Sequence, residues 1–160
     1  MLTAIVFLIL GIVFVLVFLL LLIRNRNNAI VKKVGVIVIT SITIIFTLYA
    51  LMLLSTNSVM GEVRSAFMLE LDSSETEGRA IHKYNHYWRG KDRDVGEINL
   101  TLRRRFVLHN FQRGYIWAIY SHTVYDTEGN LIGGSWRAPT RWRIEKIDGE
   151  WEIVEIYERP

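Results

Sequence analysis

Hydrophobic and polar positions follow two regimes along this chain. Residues 2–23 and 34–54 form runs of 22 and 21 residues without a charged side chain. As helices they are roughly 30 Å long at about 1.5 Å per residue, which matches the hydrocarbon core of a bilayer. The pattern then breaks into shorter amphipathic pieces. Val59, Met60, Val63, Phe67 and Leu71 recur at helical spacing, and Asp72-Ser73-Ser74 interrupts them. Ser74 with Glu77 three residues on reads as a capping box. The helix it opens carries the stripe Ala80, Ile81, Tyr84, Tyr87 and Trp88 and stops at Gly90.

From Ile98 the period changes to two. Residues 98–109, 115–125, 131–147 and 150–158 read as strands, with turns at 110–114, 126–130 and Asp148-Gly149, the last of type I′. Pro139 interrupts the third strand and is expected to mark a bulge. The predicted fold class is an α-helical transmembrane hairpin plus a small α+β domain, with two helices packed on a curved four-stranded antiparallel sheet. The expected division is 1–58 for the anchor, with spans 2–23 and 34–54 and a basic connector 24–33, and 59–160 for the domain.

Composition changes this picture in two places. The net charge of +3 invites a nucleic-acid reading. Yet Arg24, Arg26, Lys32 and Lys33 in the connector account for four of the 19 basic residues, leaving 15 against all 16 acids. The charge belongs to the connector, so no nucleic-acid partner is expected. Zero cysteines exclude disulfides and thiolate metal sites. The first run lacks a charged leading segment and a small-residue cleavage site, so it reads as a permanent helix rather than a signal peptide. Basic residues in short loops stay cytoplasmic. The connector is therefore expected inside, with both termini extracytoplasmic and the chain in the plasma membrane by two spans. Neither span carries a charge for a proton relay or ion path. Thr40, Thr43 and Thr47 form a hydroxyl stripe that either joins helices or bonds its own i−4 carbonyls.

The ending WRIEKIDGEWEIVEI, residues 142–156, is a long strand, an Asp-Gly turn and a last strand opened by Trp. It resembles the C-terminal hairpin of nuclear transport factor 2-like domains, which are cone-shaped α+β folds with helices closed over a strongly curved sheet. The resemblance covers roughly residues 59–158, its specific part being the last 45 or so, and it departs from the family in reading two helices where three are usual. It implies a pocket lined by the concave sheet face and no particular activity, since the fold hosts isomerases, dehydratases, transport factors and non-catalytic domains. Membrane-anchored, outward-facing versions occur among similar bacterial envelope proteins, including assembly components of conjugation machines.

Turn positions suggest a register and hence a pocket. Pairing Ile147 with Glu150 sets Ile144 against Ile153 and Trp142 against Glu155. Pairing Tyr125 with Leu131 sets Tyr120 against Trp136 and His122 against Gly134; a turn at 110–114 sets Arg104 against Tyr120. One face then carries Leu102, Phe106, Ile116, Tyr120, Trp136 and Trp142, interrupted by Arg104, His122 and Glu155. The expected ligand-binding set is Arg104, Tyr120, His122, Trp136, Trp142 and Glu155. Arg104 needs a partner on such a face: an ion pair with Glu155 is the plainer reading, an anionic ligand the sharper one. His122 reads as a satisfied sheet histidine before a base. His82 and His86 have the i, i+4 spacing of metal ligands but lack an evident third, so no metal and no cofactor is expected. Arg103, Arg105, Arg141 and Arg143 alternate with other residues as a solvated face does, or as one meeting anionic polymer or lipid headgroups.

No nucleophile elbow, phosphate-cradling loop or zinc motif is present. Glu155 with Tyr120 and His122 is the one grouping an isomerase-like site would want. The leading expectation is a non-catalytic, membrane-anchored extracytoplasmic domain that binds a partner protein or envelope component, as an assembly or accessory subunit. The alternative is a small-ligand receptor or isomerase-like enzyme using the pocket. The two differ in whether the pocket is open or filled by its own aromatic rings.

Overall fold

The computed structural model describes residues 11, 13, 15–18, 20, 23, 29–89 and 95–158. The chain divides into two compact units, Met1–Ser55 and Thr56–Pro160.

In the first unit, the described residues between 11 and 23 are helical, and α1 runs Ala29–Ser55. Most of the first expected span and connector residues 24–28 lie outside the described residues. The helical stretch Lys33–Phe67, most of it α1, is the one helix among the described residues long and apolar enough to cross a membrane. Val34, Val36, Ile37, Ile44, Ile45 and Leu48 are all exposed, and each forgoes about 1.5–3 kcal/mol of burial if left in water. The covered positions follow a seam, Gly35, Ile39, Ile42, Phe46, Tyr49 and Leu53, spaced alternately four and three apart, joined near its end by Ala50 and Met52. Gly11, Val15 and Phe18 turn inward at the same spacing, and a Cβ on Gly11 would meet Phe46 at 3.5 Å. That alternation is the packing period of two helices crossing at a shallow angle. The threonine stripe lies off the seam, with Thr40 Oγ1 donating to its own turn at Val36 O, 2.9 Å away.

The second unit has three helices, α2 (Asn57–Phe67), α3 (Ser73–Thr76) and α4 (His82–Arg89), where the apolar stripes predict two. The second predicted helix is split. Asp72, not Ser74, caps its first turn by accepting from the Ser74 backbone N–H at 3.2 Å. The chain then leaves the helix at Glu77, and Gly78 takes φ +78°, which no helix accommodates. Asn85 of α4 bridges the break by donating to Leu71 O and Thr76 Oγ1 at 3.1 and 3.2 Å.

Strands β1 (Val95–His109), β2 (Arg113–Asp126), β3 (Leu131–Ile147) and β4 (Glu150–Glu158) form one antiparallel sheet in sequence order. The turns predicted from sequence are present, and Tyr125 pairs with Leu131, Ile147 with Glu150 and Ile144 with Ile153. Bulges between these anchor points change the parity. Gly96 and Arg105 are extra residues in β1, Ile132 is extra in β3, where Trp136 and Arg137 also together oppose Ser121, and Val154 is extra in β4. The expected bulge at Pro139 is absent: Pro139 pairs regularly with Ile119, and the distortion falls on Arg137, whose φ is +50°. The helices pack on one face, called inner here. Val107, Ile116, Val124, Trp142, Ile144 and Ile153 from the sheet meet Val59, Val63 and Phe67 of α2 and Ile81 and Tyr84 beside and on α4. Each such side chain contributes about 1.5–3 kcal/mol by leaving water. Met68 and Leu69 close one end over Ile98 and Val124.

Candidate functional site

The inner face is the expected place for a pocket, and its own rings occupy it. Phe67 ends α2 and places its ring 4.4 Å from Tyr84, 4.9 Å from Tyr120 and 5.5 Å from His122, centroid to centroid. Tyr84 accepts from Trp142 Nε1 at 2.9 Å and lies 3.3 Å from Thr140 Oγ1, which also reaches Tyr157 O. Tyr120 Oη donates to Glu158 Oε1 at 3.0 Å, and Lys83 Nζ holds Glu158 Oε2 at 2.6 Å. Most polar groups here bond one another, His122 Nδ1 being a buried atom that makes no hydrogen bond among the described residues, and apolar ring area fills the space between, as in a core.

Electrostatics agree with that reading. Burial pushes the Tyr84 phenol far above its ordinary pKa, with Glu158 adding to the rise against hydrogen bonds from Thr140 and Trp142. Tyr84 therefore stays neutral and acts as a hydrogen-bonding strut. Burial likewise lowers His122 below its ordinary value, opposed by the negative charge of Glu158. His122 is thus a neutral imidazole within the layer of rings.

Of the six residues expected to form the site, the structure brings Tyr120, His122 and Trp142 together on the inner face. Arg104 stands half-buried at the edge of that face and donates through Nη1 to Thr56 Oγ1 at 3.2 Å. Its expected ion pair with Glu155 is not formed. Val154 shifts the register so that Glu155 pairs with Arg143, which donates through Nε at 3.0 Å on the opposite face. The extra residue Ile132 likewise shifts the count from Tyr125–Leu131 and removes Trp136 from the inner face, leaving it 84% exposed. Phe106 leaves for the same reason, after the bulge at Arg105. Arg104 lies opposite Ala118, Tyr120 opposite Leu102 and Ala138, and His122 opposite Ser135. The carboxylate beside Tyr120 and His122 is Glu158, a residue the pattern offers no reason to choose. Phe67 and Tyr84 are legible as helix-stripe residues but not as the plug of the cavity. His82 Nδ1 is 2.9 Å from Thr76 Oγ1, and the His86 side chain lies outside the described residues. No metal-ligating group of three acids or histidines gathers among the described residues.

The outer face has a different chemistry. Phe106 stacks near Trp117 at 5.4 Å, Trp117 near Tyr115 at 5.8 Å, and the Arg141 guanidinium lies over Tyr115 and Tyr157 at 5.2 and 4.3 Å. Glu145 and Glu155 both bind Arg143, at 2.6 and 3.0 Å. A hydrogen bond with Tyr157, and then Arg143, hold the Glu155 carboxyl below its ordinary pKa. Beside them an open depression of about 500 Å³ is lined by Leu108, His109, Arg113, Tyr115, Arg143 and Glu145. No helix of this unit covers the outer face among the described residues. The chain matches no protein-family model and no curated protein to which it was compared.

Proposed function

We propose that the chain is a membrane-anchored, non-catalytic domain that binds a partner protein or envelope component from the extracytoplasmic side, as an accessory or assembly subunit. The observation that carries this reading is the filled inner face. Phe67, Tyr84, Tyr120, His122 and Trp142 pack their rings into the volume where an enzyme or receptor of cone-shaped fold would hold its ligand, with Tyr84 accepting from Trp142 and Tyr120 donating to Glu158. The relation to nuclear transport factor 2-like domains belongs to the same proposal. It is favoured by three helices over a four-stranded antiparallel sheet that ends in the Asp148-Gly149 turn. The anchor is read as a two-span hairpin with both termini outside. Its support is the matched seam of residues 11–18 and α1, the contact of Gly11 with Phe46, and the four basic residues of the connector.

Protease added to intact, wall-stripped cells is expected to digest a tag at Pro160 and to spare one at Asn27. Protection of the C-terminal tag would overturn the extracytoplasmic assignment. Capture of partners from detergent-solubilised membranes addresses the role. Tyr120→Phe and His122→Gln, both inner-face changes, should leave the captured set unaltered. Loss of capture with either variant would favour the receptor or isomerase-like alternative, in which Glu158, Tyr120 and His122 form the working group.

A further inference from the structure

The second unit is close to neutral, since the connector holds the chain's excess of positive charge. Its outer sheet face is not. Arg103, Arg105, Arg137 and Arg141 stand on that face with an exposed acid, Glu97, at its far end beside Asn99, while Glu145 and Glu155 are both taken by Arg143. Arg141 is held between two tyrosine rings, and its buried Nε finds no hydrogen-bond acceptor among the described residues. Two large rings share the face without cover, Trp136 at 84% exposure and Phe106 at 44%. The exposure of Trp136 is built in. Two irregularities in β3 place it there: the extra Ile132 shifts the alternation that carries Trp136 outward, and the bulge at Trp136 holds Arg137 on the same face at φ +50°, tied down by the Arg137 N–H donating to Ser121 Oγ at 2.9 Å. Such a backbone costs about 1–2 kcal/mol for a residue other than glycine, so the fold carries strain where Trp136 and Arg137 share the outer face.

Arginine with exposed tryptophan and phenylalanine is the chemistry of a bilayer interface. Guanidinium forks bind phosphate by paired hydrogen bonds, and indole and phenyl rings settle at headgroup depth. Connectivity favours the same partner, because Thr56 directly follows the membrane-length helix with no linker. A domain of about 100 residues has a radius of gyration of about 13 Å, so a lipid surface is within its reach at all times. We propose that the outer face of the second unit docks on an anionic phospholipid surface, with Arg103, Arg105, Arg137 and Arg141 at phosphates and Trp136 and Phe106 among the headgroups. This rests on the membrane-anchored reading above and names a partner for it.

The test uses the full chain in lipid nanodiscs. With no native cysteine, Thr101→Cys on the exposed outer face takes a single environment-sensitive dye. Discs of phosphatidylcholine with one-quarter phosphatidylglycerol should shift the dye emission to the blue, and discs of phosphatidylcholine alone should not. About 0.5 M salt, where the Debye length falls to about 4 Å, should reverse the shift. Arg103→Glu with Arg105→Glu should lower the docked fraction by about fivefold or more for each arginine. Trp136→Ser, at a position too exposed to unfold the sheet, should lower it as well. Arg64→Glu, on an exposed turn of α2, should leave it unchanged. Equal emission on neutral and anionic discs, or indifference to the arginine reversals, overturns the proposal. So does a shift that appears only with two copies per disc, which would name a second copy as the occupant. A chain that fails to co-elute with the discs refutes the anchor itself. Co-elution without a dye response refutes the docking alone.

Discussion

Tyr84 shows how tightly the inner face is specified by single atoms. Its hydroxyl takes the Trp142 indole N–H at 2.9 Å, and the Trp142 side chain is fully buried. Tyr84→Phe leaves that donor in the core without its acceptor and should destabilise the unit by about 1–3 kcal/mol. Trp136→Ala, despite removing a larger group, should stay within about 0.5 kcal/mol because its ring is already in water. Urea titration of the chain in mild detergent, followed by near-ultraviolet circular dichroism, separates the two. His122 adds a pH dependence. Burial lowers its folded pKa below the ordinary value of 6.5, so the unfolded chain binds more protons than the folded one. The stability gained by keeping it neutral is complete above about pH 6.5 and is lost as the pH falls through the lower folded value. His122→Gln should flatten the decline of stability between about pH 7 and 5, and an unchanged slope would refute the assignment. Three of the six residues expected together share the inner face for a simple reason. Turn chemistry sets where pairing begins, and Tyr120, His122 and Trp142 lie on stretches whose parity no bulge inverts. Trp136 and Glu155 lie at or just beyond a bulge, and one extra residue exchanges inside for outside.

Elements were easier to read than register. All four strands and every turn were visible in the alternation of β-branched and aromatic residues, and strands β3 and β4 have the predicted bounds. Three of the bulges were not, because Arg105, Arg137 and Val154 carry none of the glycine or proline signals that usually announce one, whereas Gly96 and the Ile132-Gly133-Gly134 step do carry them. Pro139 carries the signal and sits in regular pairing. The split of the second helix is similar, since Ser74 and Glu77 have capping-box spacing while Gly78 decides the outcome by taking positive φ. Two glycines therefore make opposite predictions. Gly61 lies in the middle of α2 with open space where an added methyl group would point, so Gly61→Ala should stabilise by about 0.5–1 kcal/mol. Gly78 has the same open surroundings but φ +78°, so Gly78→Ala should cost about 1–2 kcal/mol through backbone strain alone. Midpoints that shift the same way in both variants would contradict these helix boundaries.

For the molecule as a whole, the sequence separates a continuously apolar regime from a globular one, and the two compact units divide at Ser55 and Thr56. Hydrophobicity without periodicity predicts a span but not which side of the helix meets another, because lipid and protein interiors favour the same residues. The seam of α1 shows only in the pattern of covered positions, with Gly35, Ile39, Ile42, Phe46, Tyr49 and Leu53 in an alternating four-three step. If the proposed hairpin is right, Gly11 and Phe46 face each other across it, with the Gly11 Cβ direction aimed at the Phe46 Cβ from 3.5 Å. That separation is at the short end of the Cβ to Cβ range of a disulfide, about 3.5–4.5 Å. Gly11→Cys with Phe46→Cys, in a chain that has no other cysteine, should therefore cross-link within one molecule when membranes are oxidised. Moving one partner by two residues, to Val13→Cys with Phe46→Cys, turns the thiol to an exposed side of the first helix and should abolish the product. Cross-linking of both pairs at similar yield would mean loose, unregistered helices. Cross-linking only between molecules would mean that the covered seam is shared by two copies, and the two-span hairpin would be lost.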